Sequence, residues 1–388
     1  MIKRTLLSIL TAASLSEMAS AVEINLEQCA SAPQGVTDIS FVAPGRAIVS
    51  TQPGDLYWFN GCNRPMRKMG NIADVSSNGW EDGLYGVAAN WQHFGFGRLF
   101  AYYTTEKDGE LFTRLSSFRF GRNGVSDKQV LLEIPQPYSN KNGGGLRFGP
   151  DGALYVGIGD GGSEAGPQGH AEIGDPLGNA QNVENIYGSV LRIYPSFMAD
   201  DVYFSPSNNL RKFVPNAAPE ILAYGLSNPW KIAFDSKGDL IIADVGLHTT
   251  EEVSLIPGSA IGEQALNLGW SIKEGNGCFD QNTQSPDPDA SCTVENEITP
   301  IHTYEHASGA GNSITGGETL WMGGKEYYLF ADFMTGYLGA LDLENPENTV
   351  AERTETGKNW ATFAKSPMGE VFVSDYTNGV IYRVTLRP

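Results

Sequence analysis

The sequence predicts an all-β fold, a six-bladed β-propeller, and three observations lead to it. One short unit, an apolar run followed by a glycine turn and an alternating strand, recurs along the chain. Glycine accounts for 46 of the 388 residues, well above the usual ~7 %. Long helical periodicity is nearly absent. The unit is clearest at Leu146-Arg147-Phe148-Gly149-Pro150-Asp151-Gly152-Ala153-Leu154-Tyr155-Val156 and returns at 232–242 and 363–373. Weaker copies begin near Phe41, Val87 and Tyr327. Six units of roughly 60 residues each suit four-stranded blades with generous loops. The turn glycines supply the positive φ that lets flanking strands pair as hairpins. A single sheet cannot bury both faces, whereas blades around an axis cover one another and hide most edges. A pair of β-sandwiches is the alternative. Closure of the ring is expected through a strand near Ile39–Val42 or through the C-terminal strand.

The elements follow in order. Lys3 and Arg4, the apolar stretch Leu6 to Leu15 and the small residues Ala19-Ser20-Ala21 read as a secretion signal cut after Ala21. That leaves 22–388 as a single domain, in the periplasm or secreted. The hydrophobic stretch is too short to span a bilayer. Four cysteines, Cys29, Cys62, Cys278 and Cys292, fit an oxidising compartment and two disulfides. Three pairings are possible, and proximity favours Cys29–Cys62 with Cys278–Cys292. A Cys₄ zinc site finds no support, because no CxxC pair exists. Two segments depart from the blade plan: 157–191, polar and glycine-rich, and 249–299, which carries the second cysteine pair. Long loops in a compact fold are often functional, and both should lie on one face.

Net charge is −19, and no basic patch exists, so nucleic acid is excluded as a partner. Small neutral molecules and cations remain. Gly159-Asp160-Gly161-Gly162 has the glycine count of a phosphate loop but no Lys-Ser/Thr pair or helix after it. No Gly-x-Ser-x-Gly elbow occurs. A calcium-dependent lactonase on a propeller has only generic glycine repeats and scattered acids behind it. Trp80, Trp230 and Trp270 stand beside candidate pocket loops, where they could stack on a sugar or wedge blades together. His93, His170, His248, His302 and His306 are spare candidate bases or ligands.

An ordered series of motifs carries a resemblance. It runs Asn142-Gly143-Gly144-Gly145, Gly157-Ile158-Gly159-Asp160-Gly161-Gly162, Gly178-Asn179-Ala180-Gln181-Asn182, Tyr224-Gly225-Leu226-Ser227-Asn228-Pro229-Trp230, Ala243-Asp244-Val245-Gly246, Asn267-Leu268-Gly269-Trp270 and Phe330-Ala331-Asp332-Phe333. Taken together it resembles the glucose/sorbosone dehydrogenases, soluble quinoproteins that use pyrroloquinoline quinone (PQQ) and calcium. The hedgehog-interacting proteins, which are binding proteins, resemble that family too. The resemblance implies a six-bladed propeller that oxidises an aldose at C1 and passes the electrons to the quinone. The alternative is a member that has lost the quinone site and binds a saccharide or a protein without catalysis.

The resemblance assigns roles one residue at a time. The family's base, a histidine before the glycine-rich turn, falls on Lys141, and its supporting carboxylate falls on Asp160. Histidine titrates near neutrality, whereas a free lysine has a pKa near ~10.4. Cofactor contacts fall on Glu81, where the family has Gln, and on Asn228. Cations expected around the three PQQ carboxylates fall on Ser227, on Met334 and near Asn359 and Ala361, with Lys358 as a substitute. Calcium ligands fall on the backbone of Gly246 and Leu247, on Glu252 and on the backbone near Leu268. The sugar, the electron acceptor and the oligomeric state are not readable from the sequence.

Overall fold

Each clear copy of the repeat folds as an antiparallel hairpin. Leu146 faces Val156, Ile232 faces Ile242 and Phe363 faces Val373. The turn glycine of each takes the conformation the pattern demands, with φ of 82° at Gly152, 84° at Gly238 and 84° at Gly369. A residue with a Cβ is strained there. The computed structural model describes residues 22–79, 81–89, 97–121, 124–162, 178–196, 201–247, 249–280, 283, 285–287, 289–306 and 312–388. The secretion-signal reading of 1–21, Trp80, His93, His170 and His248 lie outside the described residues.

The described chain is all-β apart from short 3₁₀ turns, and its strands form seven sheets. Six have four or five strands, and their first strands are Val36–Ala43, Leu84–Ala88, Leu146–Phe148, Pro229–Phe234, Glu318–Met322 and Trp360–Lys365. Each first strand packs beside the next, and the sixth returns to the first. The seventh sheet is small, made of Lys273–Glu274, Gly277–Asp280 and Ser285–Asp287. It was not expected from the repeat; it is an ordered part of the segment read only as a long departure from the plan. Among the described residues no helix is long and apolar enough to cross a membrane.

Closure uses the C-terminal strand, one of the two expected routes, but with a partner that was not expected. The strand at 39–42 belongs to the first sheet. The N-terminal strand that closes the sixth is Glu23–Ser31, antiparallel to Val380–Arg387 with Ile24 opposite Leu386 and Leu26 opposite Val384. Both favoured disulfides are present, Cys29–Cys62 and Cys278–Cys292. The first ties the closing strand to the first sheet. Apolar cores lie between neighbouring sheets: Phe100 and Tyr102 pack with Val156 and Leu191, and Leu329 and Ala340 with Trp360 and Val373. Burying each such side chain is worth ~1.5–3 kcal/mol.

The six first strands also meet in a charged cluster. Asp38, fully buried, lies 3.4 Å from Arg147 and 3.9 Å from Lys231, and accepts a 3.0 Å bond from the Thr362 hydroxyl. Arg147 reaches Glu318 at 3.7 Å and donates to the Phe363 carbonyl. Lys231 donates to the Tyr85 carbonyl at 2.8 Å. Burial pushes the Lys231 ammonium down to about 8 from the 10.5 of a free lysine, against the pull of Asp38.

A pH dependence follows from Lys231. Its folded pKa is depressed, so between about pH 8 and 10.5 the unfolded chain holds a proton that the folded chain has released. Stability from this group therefore rises with pH through that window. Relative to Lys231→Met, the wild type is expected to gain about 2 kcal/mol of unfolding free energy between about pH 7.5 and 10. Urea unfolding at the two pH values checks it, and parallel curves for the two proteins would refute it.

Candidate functional site

The two glycine-rich segments read as motifs are one packed double loop. A Cβ on Gly159 would lie 2.0 Å from the Lys141 carbonyl oxygen, and one on Gly162 1.8 Å from Asn140 Oδ1. Only glycine lets the 140–145 and 157–162 turns approach so closely. Lys141 itself has φ of 53°, a region that costs a non-glycine residue ~1–2 kcal/mol. The turn is held there from both sides. Its N–H donates to Glu81 Oε2 at 2.7 Å, and its carbonyl accepts from the Gly161 N–H at 3.2 Å.

The Lys141 side chain points inward, and the residue is only 3 % exposed. Its Nζ donates to Ser227 Oγ at 2.5 Å, lies 3.9 Å from Asp160 Oδ2 and sits 5.2 Å from the centroid of the Trp270 ring. Asp160 is equally buried. One oxygen accepts from the Gly162 N–H and the other from the Trp270 indole N–H, each at 2.9 Å. Lys141 and Asp160, paired on the resemblance, are thus brought together.

Ser227 and Asn228 immediately precede the first strand of the fourth sheet, and both are gripped from behind. Their N–H groups donate to the two oxygens of Asp244, at 2.8 and 2.6 Å. Asn228 Oδ1 in turn accepts from the Gly143 N–H at 2.8 Å. Burial, only partly offset by those two N–H groups, pushes the Asp244 carboxyl up to about 7. Burial likewise raises Glu81 above the usual carboxylate range. Sequence reasoning assigned no role to Asp244, although it stands in the quoted Ala243-Asp244-Val245-Gly246 motif as a carboxylate ending an apolar strand. The Trp270 contact to Asp160 was also not foreseen.

The residues read as calcium ligands lie beside this cluster. Leu247 and Thr249 give their N–H groups to Glu274 Oε1, at 2.9 and 3.0 Å. Glu252 is buried and accepts from the Gly275 N–H at 2.5 Å. Burial and the neighbouring Asp244 and Glu274 hold its carboxyl well above the usual range. A Cβ on Gly246 would lie 1.9 Å from the Thr250 carbonyl, and the Leu268 N–H donates to Tyr224. Among the described residues no three His, Cys, Asp or Glu side chains form a group able to hold a metal. Of the histidines, His306 holds the buried Glu251 carboxylate at 2.6 Å and His302 leans on Phe330. Trp230 wedges sheets together, its indole donating to the Ala361 carbonyl at 3.0 Å.

Comparison with known proteins agrees with this arrangement of motifs. The family described as Glucose / Sorbosone dehydrogenase matches residues 33–383. HIPL1 protein of Arabidopsis thaliana is 35 % identical over 48 % of this chain and 27 % of its own length. The Hedgehog-interacting protein of Mus musculus is 28 % identical over 40 % of this chain and 23 % of its own. The chain thus matches about a quarter of the length of these relatives. Among solved structures, the PQQ-bound aldose sugar dehydrogenase of Streptomyces coelicolor superposes with a TM-score of 0.69 at 18 % identity, covering 94 % of this chain and 98 % of that one.

PQQ carries three carboxylates, and the residues present do not fit it. The Lys141 ammonium is already committed to Ser227 and Asp160. Lys358 is committed to Asp375 at 2.9 Å and to the Tyr382 hydroxyl at 2.7 Å. Ser227 and Met334 stand where cations are expected, and Asn228 Oδ1 is taken by Gly143. The segments 163–177 and 307–311, outside the described residues, contain no Lys or Arg in sequence. Glu81, Asp160 and Asp244 surround the place, and a trianion beside buried carboxylates without counter-cations is costly.

Three substitutions test this construction by urea unfolding. Gly159→Ala drives a methyl into the Lys141 carbonyl and is expected to destabilise by about 3 kcal/mol. Lys141→Met leaves Asp160 buried without its ammonium and is expected to cost about 3 kcal/mol, against ~1 kcal/mol for Ser227→Ala. Equal, small losses in the two side-chain variants would show that the ammonium does not hold the site together.

Proposed function

This chain belongs to the glucose/sorbosone dehydrogenase family, and from that premise we propose that it is an exported six-bladed propeller whose loop-bearing face binds a neutral saccharide without PQQ. The observation that carries the reading is the sequestered Lys141 ammonium, the cation nearest the motif loops, spent inside the protein on Asp160 and Ser227. The propeller reading is supported by six first strands packed in cyclic order and by closure between the chain ends. Export is supported by the two disulfides and by the signal-like first 21 residues.

The chemistry left around the turn is that of hydroxyl recognition. Glu81, half-buried, keeps one carboxylate oxygen beyond the one that takes the Lys141 N–H, and the amide of Asn228 is fixed by Gly143. Such groups suit the hydroxyls of a polyol and repel anions.

A second reading, oxidation of an aldose at C1, is favoured by one observation. Lys141 and Asp160 form a buried pair at the two positions that the resemblance assigns to the base and its supporting carboxylate. In that reading Lys141 must accept a proton from the C1 hydroxyl. The contact geometry opposes this, since its Nζ already donates to Ser227 beside a carboxylate.

Titration calorimetry of the purified mature protein with PQQ, with and without Ca²⁺, separates the two. No binding at tens of micromolar is expected in either condition. Tight Ca²⁺-dependent binding would overturn the proposal and restore the dehydrogenase reading.

A further inference from the structure

His306 stands in a seam on the motif-loop end of the fold, between the turns 246–250 and 332–335. Register places it there. The strand Leu240–Asp244 ends with Asp244 opposite Glu252, and Thr250, at the same end of the next strand, lies opposite Glu305. The His306 N–H then donates to the Thr249 carbonyl at 2.7 Å, in the first turn. Tyr304, two residues earlier and so on the same face, gives its hydroxyl to Asp332 Oδ2 at 2.9 Å, in the second turn. The two turns carry Leu247 and Met334, positions to which the resemblance assigns cofactor contacts.

The imidazole is fixed on one side and open on the other. Nε2 lies 2.6 Å from Oε1 of the fully buried Glu251, whose second oxygen accepts from the Ile314 N–H at 2.9 Å. A carboxylate so placed sets the ring orientation and the tautomer. Nδ1 has no partner among the described residues, yet it is not one of the polar atoms sealed from solvent, and the side chain is 15 % exposed. The neighbouring acids are already engaged. Glu274 Oε1 takes the N–H groups of Leu247 and Thr249, and Asp332 those of Ser313, Met334 and Thr335. They repel an anion, and among the described residues no three His, Cys, Asp or Glu side chains form a group able to hold a metal. A hydroxyl is the partner that remains. Neutral imidazole accepts from it at Nδ1 and imidazolium donates to it, so a hydroxyl fits both protonation states. An ammonium fits only the neutral one.

We propose that His306 is a ligand-contacting residue of the central site, with Glu251 orienting its ring so that Nδ1 meets a hydroxyl of the bound neutral saccharide. The proposal rests on the saccharide reading and deepens it by naming a contact outside the motif series.

Two NMR readouts test it. Saturation transfer to the protons of D-glucose or cellobiose, titrated to hundreds of millimolar, reports binding anywhere on the protein. Protein carrying [¹³Cε1]histidine reports on His306 itself. That signal is assigned with His306→Gln, or by replacing the other histidines one at a time should this variant fail to fold. The glutamine keeps a donor for Glu251 and removes Nδ1. A saturable His306 shift is expected, with the apparent Kd weakened about 3- to 10-fold in His306→Gln. Saturation transfer with a silent His306 signal would overturn the proposal and leave the saccharide reading standing. A His306 shift with affinity unaltered in His306→Gln would overturn it as well. No saturation transfer from either sugar would overturn both. A drift common to all five histidines is a solvent effect and counts as silence.

Discussion

The charged cluster where the six first strands meet is the constraint on which the architecture depends. Asp38, Arg147, Lys231 and Glu318 come from four different sheets, and Tyr85, Thr362 and Phe363 add partners from the other two. A buried charge without its partner is expensive, and a pair gains only when its geometry is met. Each first strand must therefore keep one register relative to the others, or a charge is stranded. Apolar packing between neighbouring sheets tolerates small sliding; this cluster does not. It is a specificity device more than a source of stability, as the depressed Lys231 shows.

The cluster also fixes where the site loops begin. Asn142 lies five residues before Arg147 and Asn228 three before Lys231, so the turns that meet at Lys141 spring from strands anchored at the centre. The site repeats the same economy of charge. The resemblance places a cation at 227 and a histidine at 141. Here the lysine at 141 delivers its ammonium to the serine at 227. One positive charge serves both positions, and it faces the protein, not the ligand space.

Much of the fold was legible because it rests on local chemistry. Turn glycines, alternating strands and cysteine spacing act over a few residues, so the hairpins and both disulfides could be read directly. The closing strand Glu23–Ser31 was missed because its partner lies at the other end of the chain, and nothing local marks a strand as paired over that distance. The central cluster was missed for a related reason. Arg147 and Lys231 stand inside apolar runs, a visible anomaly, but their partners come from other sheets. At the site, the motifs located Lys141, Asp160, Asn228 and Ser227 in one place. They could not say that Lys141 turns inward, because this depends on a left-handed backbone held by Glu81 and Gly161. Glu252 was read as a calcium ligand; that the turn inside the small sheet at 273–287 gives it the Gly275 N–H could not be seen, because no repeat marks that sheet.

These electrostatics select the ligand class. Asp244 and Glu252 are held up by burial, and Glu81 with them, so the floor of the site is made of carboxyl groups that resist further negative charge. An anionic cofactor would have to displace the Lys141 ammonium from Asp160 and Ser227 to gain a cation, exposing a buried carboxylate in the act. A neutral ring asks for none of this. It needs acceptors already oriented, and Glu81 and Asn228 are held so by the Lys141 and Gly143 N–H groups. A site whose own ammonium is spent inside the protein, on a chain with a net charge of −19, suits uncharged polyols.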